Sequence, residues 1–318
     1  MRPTVLLAIL ALAGISFTAS ISGCQQIDNV TDTTYALANN LVGANISASP
    51  FGGNACLKIV SSNIVLDCNG YNITDSVGTT SYGILLNGSL TNVTVKNCPR
   101  IFDYSYGLYS YRTKSSAFYN NSARNSGSTG IYLDETNESL FVNNSVNGST
   151  YGFYLSSSHD NSLINNSGVG ATFAFYVSSS HNNNFTDNLA IPANSYGFYL
   201  TSSHNNSLRN STFSNAYYGF YLSSSHNNTM LDSAFRTNNG YGITLSGSHN
   251  NTMGNVSINN SYYGFYIASS SHNNTVVDCT PKSGQLEKTH PTIEKGCKNE
   301  IEAQVHERIQ AGSSTGAA

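Results

Sequence analysis

A phrase that returns every 22 to 24 residues constrains this chain more than anything else in it. Aligned on a Gly-apolar-x-apolar core, Gly83, Gly107, Gly130, Gly152, Ala174, Gly197, Gly219, Gly242 and Gly264 fall into register. A fixed period of this size marks a solenoid, in which each unit buries its apolar face only against its neighbours. Inside the unit the apolar residues alternate: Phe153 and Leu155, Phe198 and Leu200, Phe220 and Leu222, Ile243 and Leu245, Phe265 and Ile267. Alternation over short runs specifies strands. After an Asn-rich bend come Leu163, Leu208, Met230, Met253 and Val276, each followed two residues on by Asn165, Asn210, Asp232, Asn255 or Asp278. Asn and Asp tolerate the left-handed backbone of a sharp corner. A third apolar position, as at Phe213, Phe235 or Ile258, opens the next side.

Three short strands and three corners fill the unit and leave no room for a helix, which predicts an all-β parallel β-helix of about ten coils. Leucine-rich repeats share the period but need a denser Leu pattern, and calcium-binding nonapeptide repeats need Gly-Gly-x-Gly-x-Asp; the sequence has neither. Successive coils lie ~4.8 Å apart, so equivalent residues stack into columns along a rod of about 45 to 50 Å.

Both ends differ from the repeat. Arg2 precedes an apolar run from Val5 to Ala13, with small residues through Gly23. This is the pattern of a secretory leader over residues 1–23, so the protein is expected outside the cell or at its surface. Ile21-Ser22-Gly23-Cys24 also reads as a lipoprotein box with Cys24 as the lipid carrier. Six cysteines are an even number, however, and lipidation would leave an odd thiol, which favours a disulfide. The β-helix is expected over 24–279. The charged extension 280–318 contains an amphipathic stretch, Thr292 to Gln310, that suits a short capping helix before a mobile end. No segment after the leader is long and apolar enough to span a bilayer.

Only 10% of the residues are charged, against roughly 25% in an ordinary soluble domain. The 14 basic and 17 acidic residues give a net charge of -3, with no electrostatic footprint for nucleic acid. At 39% hydrophobic the chain still has the material for a core.

The opening coils, Cys24…Tyr35-Ala36-Leu37…Ala55-Cys56-Leu57-Lys58-Ile59…Asn63-Ile64-Val65-Leu66-Asp67-Cys68-Asn69-Gly70-Tyr71-Asn72-Ile73, resemble those of the pectate-lyase-like and NosD-like β-helix proteins, especially exported archaeal ones. The resemblance covers residues 24 to 279 and implies a right-handed coil. That group holds polysaccharide lyases, epimerases, a copper-site accessory protein and proteins without assigned chemistry, so it implies a fold rather than an activity.

Stacking turns each repeated side chain into a column. Phe153, Phe175, Phe198, Phe220 and Phe265 are expected inside, each worth roughly 1.5 to 3 kcal/mol on burial. Tyr109, Tyr132, Tyr154, Tyr176, Tyr199, Tyr221 and Tyr266, interrupted by Thr244, are expected to face outward as an aromatic strip suited to sugar rings or to another protein. Strand propensity copied by duplication explains the same column without a ligand.

His159, His181, His204, His226, His249 and His272 form a second column at the corner. Imidazoles are common copper and zinc ligands, but stacked ones supply at most two nitrogens locally, so no metal or other cofactor is expected.

Catalysis needs unlike groups at one point. The only break that gathers them is Arg112 and Lys114 near Asp134, Glu135 and Glu138, with Asp160 one coil on. It is a candidate site for a lyase or epimerase, with cross-coil ion pairing as the simpler account. Asn210 and Asn255 separate Asp187, Asp232 and Asp278. Asn-x-Ser/Thr triplets occur throughout, including Asn72, Asn92, Asn143, Asn165, Asn184, Asn205, Asn227, Asn250 and Asn273, and are potential glycan acceptors. Cys279 with Cys297 would tie down the tail. Cys24 with Cys56 and Cys68 with Cys98 would staple the opening coils, although sequence alone does not fix connectivity.

The expectation is a monomeric, exported, non-catalytic β-helix that recognises glycan or a surface protein through the tyrosines. A carbohydrate-active lyase, hydrolase or epimerase is the alternative, and copper binding by the histidines ranks third.

Overall fold

The computed structural model describes residues 18–28, 33–75, 81–193, 195–236, 240–259, 261, 263–268, 270–281 and 285–288. Most of the leader, the capping helix placed at 292–310, Cys297 and the end of the charged extension lie outside them. Among the described residues there is no helix; strands stack into sheets of 13, 12 and 11 strands around about nine turns. The coil beginning at residue 151 shows the pattern. A six-residue strand, Tyr151–Ser156, belongs to the 13-stranded sheet, followed by Ser162–Ile164 in the 12-stranded and Ser167–Val169 in the 11-stranded sheet. Pairing between coils is parallel and in register, so Tyr154 lies over Tyr176 and Leu163 over Phe185. The antiparallel exception is a short hairpin, where Ile46–Ser47 pairs with Asn54 and Ala55.

The corners fall where the sequence places them. Asn165, Asn210, Asp232, Asn255 and Asp278 all have φ between 49° and 54°. Between them the interior is filled: Phe153, Phe175, Phe198, Phe220 and Phe265 are at most 2% exposed. Phe175 stacks on Phe153 and Phe198 at centroid distances of 4.8 and 4.1 Å. Phe118–Phe141 and Phe213–Phe235 form further stacks at 4.3 and 4.4 Å. Ala174 breaks the glycine column because the side chain opposite it is missing. A Cβ on Gly168 would come within 2.8 Å of the Ala174 carbonyl oxygen and 3.1 Å of its Cβ, so the two positions share one methyl between them.

Disulfides join Cys24 to Cys56 and Cys68 to Cys98, as the opening coils suggested. Cys279 is also disulfide-bonded. A sulfur engaged with Cys56 does not carry lipid, so this structure takes the disulfide side of the alternative at Cys24. Thr18–Ile21, within the expected leader, forms a strand paired with Thr33–Leu37, and Ile21 is fully buried. Among the described residues no helix is long and apolar enough to cross a membrane.

The corner between the 13- and 12-stranded sheets carries three hydrogen-bonded rails side by side. In the first, backbone N–H groups donate to the serine hydroxyl one coil on, Ser158 to Ser180 at 2.9 Å and Ser180 to Ser203 at 3.1 Å. In the third, Asn161, Asn183, Asn206, Asn228, Asn251 and Asn274 are at most 3% exposed. The Asn206 Oδ1 accepts from the Asn183 backbone N–H at 2.9 Å and from its Nδ2 at 3.1 Å. Its own Nδ2 donates to the Ser180 carbonyl at 3.0 Å and to the Asn228 Oδ1 at 3.1 Å. The histidine column lies between these two.

Candidate functional site

The tyrosines line the outer face of the 13-stranded sheet in two columns. The expected column is there: Tyr132, Tyr154, Tyr176, Tyr199, Tyr221 and Tyr266 are half-buried. Tyr109 is buried at 5% exposure, and Thr244, at 3%, interrupts the row. Beside it runs a second column that simple alternation hides: Tyr151, Phe173, Tyr196, Tyr218, Tyr241 and Tyr263. Alternation would send Tyr151 inward with Phe153. Instead the strand changes face at the buried glycine, and the Tyr151 ring stacks on Tyr154 at 5.1 Å. The same geometry brings Tyr196 to 5.1 Å from Tyr199. The recurring Tyr-Gly-Phe-Tyr phrase was the available signal, since its two tyrosines stay three residues apart.

The strip differs from a flat aromatic platform. From Tyr151 through Phe173, Tyr196, Tyr218 and Tyr241 to Tyr263, neighbouring rings lie 7° to 15° apart with centroids 4.9 to 5.2 Å apart. That separation is too short for rings lying side by side, so they overlap plane on plane and offer mainly edges and hydroxyls. In the other column two rings turn away from their neighbours. Tyr176 is turned 61° from Tyr154 and 64° from Tyr199, and Tyr221 is turned 88° from Tyr199. Burial raises the phenol pKa to about 12 at Tyr176 and Tyr218, so these two hydroxyls stay protonated at physiological pH and are available as donors.

One end of the face is hooded. The hairpin that starts at Ile46 places the Phe51 ring 5.1 Å from Tyr109 and 4.8 Å from Tyr111. Lys58 heads the expected column, 8% exposed, and its Nζ donates to the Ser47 and Ser49 carbonyls at 3.0 and 3.3 Å. At the edge of the hood the Tyr109 hydroxyl donates to Asp134 Oδ2 at 2.6 Å. Desolvation raises the Asp134 carboxyl pKa, with the Tyr109 hydrogen bond acting in the opposite sense.

The charged break does not converge. Arg112 pairs with Glu135 at 2.8 Å and Lys114 with Glu138 at 2.9 Å, each across one coil on an exposed corner. They flank an open groove of about 350 Å³ that also includes Leu90 and Asn137. Asp134 lies apart, on the tyrosine side, because the strand ends there and Glu135 already turns the corner at φ 51°. The acids at Asp187 and Asp232 are spaced by amides: Asn210 donates to Asp187, and Asn255 donates to Asp232 at 2.8 Å. The potential glycan acceptors named above are all exposed except the half-buried Asn72.

The histidines form a continuous stack, with centroids 4.8 to 5.3 Å apart. Each Nδ1 from His159 to His249 accepts the backbone N–H of the histidine one coil on, at 3.0 or 3.1 Å. An acceptor nitrogen carries no proton, so the neutral ring carries it on Nε2. Asn137 serves in the same way at the head of the column, its Oδ1 accepting from the His159 N–H at 2.7 Å.

The family model for the periplasmic copper-binding protein NosD matches residues 18–191 and 168–286. The chain belongs to the NosD family. No curated protein sequence matches it. Solved structures similar to this NosD-family chain include the A-module of the Azotobacter vinelandii mannuronan C-5 epimerase AlgE6, at 15% identity and TM-score 0.72, covering 92% of this chain and 93% of that one. The catalytic domain of a GH87 α-1,3-glucanase, in complex with nigerose, aligns at 15% identity and TM-score 0.59, over 90% of this chain and 64% of that one. Tailspike protein 3 of bacteriophage CBA120 aligns at 12% identity and TM-score 0.52, over 95% and 57%. At these identities the likeness shows the fold, and it places the chain in the right-handed parallel β-helix class. A family described as periplasmic and the disulfides fit an exported protein.

The copper in the family's description does not fit the described residues. Among them no three His, Cys, Asp or Glu side chains could together hold an ion, and every described cysteine is disulfide-bonded. In the histidine column, Nδ1 is taken by a backbone donor and Nε2 holds the ring's proton, so a metal would have to break the rail or strip that proton. Copper uptake by the full chain, measured by equilibrium dialysis, is therefore expected to be unchanged when His181, His204 and His226 are all replaced by Asn. Loss of a bound copper in that variant would contradict this assignment.

Proposed function

We propose that this NosD-family protein is an exported, non-catalytic module that recognises glycan chains through the tyrosine face of its 13-stranded sheet. The observation that carries the reading is the double aromatic column, which continues rung after rung beyond the Phe51 hood. A half-exposed aromatic area of this extent, with a hydroxyl on every ring of the two columns except Phe173, is unusual on a surface without a binding role. Tyrosine combines a large apolar contact with a donor and acceptor at small entropic cost, which suits an extended ligand rich in hydroxyls. Structural neighbours named as an epimerase, a glucanase and a tailspike lend support, since two of the three are titled as acting on glycans.

Because the rings offer mostly edges and hydroxyls, the phenol oxygens are expected to matter more than the ring faces. Tyr176→Phe, Tyr199→Phe and Tyr221→Phe together keep the aromatic rings but remove three hydroxyls, and glycan affinity is expected to fall about tenfold or more. Binding to a glycan array by wild type and triple variant checks this; equal binding by the two contradicts it. The same samples, tested for new reducing ends or epimerised product, decide the enzymatic alternative. Product that disappears in Asp134→Asn would move the reading to catalysis at the hooded end.

A further inference from the structure

The tyrosine face carries no charge along most of its length. Five consecutive strands, Tyr151–Ser156, Phe173–Ser178, Tyr196–Thr201, Tyr218–Ser223 and Tyr241–Ser246, contain no Asp, Glu, Lys or Arg. The flanking loops at 148–150, 170–172 and 215–217 are uncharged, as are the corners at 157–158, 179–180, 202–203, 224–225 and 247–248. Among the described cations, Arg112 and Lys114 pair with glutamates on the exposed corner, Arg209 with Asp232 at 3.1 Å and Lys58 with carbonyls beneath the hairpin, while Arg236 ends a strand of the 11-stranded sheet, ahead of the strand that begins at Tyr241. Asp134, at the hooded end, adds a carboxylate rather than a counter-charge.

We infer that the ligand of this face is a neutral polysaccharide, and that uronate or sulfated polymers are rejected; this rests on the glycan-recognition reading above. A polyuronate brings about one carboxylate per sugar. Laid across five uncharged rungs, it would give up hydration with no cation on those rungs to pair, and desolvating an unpaired charge is unfavourable. Neutral sugars meet the opposite situation. Their hydroxyls find phenol groups, and the column Ser156, Ser178, Thr201, Ser223 and Ser246 runs alongside with further hydroxyls that both donate and accept. Selection comes from the absence of partners for the wrong ligand as much as from contacts to the right one.

Affinity electrophoresis of the full chain tests this, in gels containing neutral glucans, mannans and galactans on one side and polygalacturonate and alginate on the other. Retardation is expected in at least one neutral gel, unaffected by added salt and reduced at least tenfold in the Tyr176→Phe/Tyr199→Phe/Tyr221→Phe variant, with none in the acidic gels. Ser178→Arg with Ser223→Arg, on the flanking column, is expected to create salt-sensitive retardation by polygalacturonate. Wild-type retardation only in acidic gels, abolished by the tyrosine substitutions, overturns the neutral assignment and leaves the recognition reading standing. No retardation in any gel overturns both.

Discussion

Asn206→Ala is expected to cost about 3 kcal/mol or more of folding stability, a large effect for one polar side chain. The substitution leaves the Asn183 backbone N–H and Nδ2 without their shared acceptor and the Ser180 carbonyl without a donor, while Asn228 Oδ1 keeps only the backbone N–H of residue 206. All of this happens where residues are at most 3% exposed, so water does not readily replace what is lost. Each buried unsatisfied group costs about 1–3 kcal/mol. Chemical denaturation of wild type and variant measures the difference. A loss below about 1 kcal/mol would mean that the rail relaxes or hydrates, and that the amide column is not what holds this corner together. Asn205→Gly, one residue away on the exposed side of the same corner at φ 56°, keeps the left-handed backbone, serves as the control and is expected to change little.

Acid is expected to weaken the fold before any ordinary carboxylate titrates. Burial, and then the neighbouring imidazoles, hold the pKa of His181 and His226 below the usual 6.5. Below pH 6.5 the unfolded chain therefore takes up protons that the folded chain refuses. Stability rises with pH wherever the unfolded state binds more protons, so it is lost as pH falls through 6.5 toward the depressed folded values. Structurally, a proton on Nδ1 meets a backbone N–H that already points at it, and adjacent charged rings repel. Asp134, its carboxyl raised by burial, acts in the opposite sense, as one group against His181 and His226. Denaturation midpoints between pH 7.5 and 5 are expected to fall steeply for wild type. In His181→Asn/His204→Asn/His226→Asn the slope is expected to flatten, because Asn137 already shows that an amide fills this position without titrating. Equal slopes in the two proteins would contradict the rail's role.

How much of this was legible follows from which signals repeat. The alternation of Phe153 and Leu155 placed the core, and Asn165, Asn210 and Asp232 marked left-handed corners because few other residues tolerate that backbone. Alternation failed at Gly152, where the strand changes face; the second tyrosine column was therefore missed although its letters were in plain view. The asparagine rail was hidden in the same way. The His-Asn-Asn bend reads as generic turn chemistry because both of its asparagines return in every copy from Asn183 to Asn274; only in His159-Asp160-Asn161 does the exposed first position change while the buried second one stays. The Phe51 hood belongs to no repeat, so no period announced it. Asp134 and Glu135 are adjacent letters sent to different surfaces by one corner residue at positive φ, and only coordinates separate them.

The claim on which the functional account turns is that ligand lies along the tyrosine face. Ring-labelled tyrosine NMR spectra, recorded with increasing amounts of a neutral oligosaccharide that binds, test it most directly. The account predicts saturable shifts at Tyr176, Tyr199 and Tyr221, with the His204 and His226 rings unmoved. Shifts confined to the histidine column, or to the groove beside Arg112 while those tyrosines stay still, would contradict it.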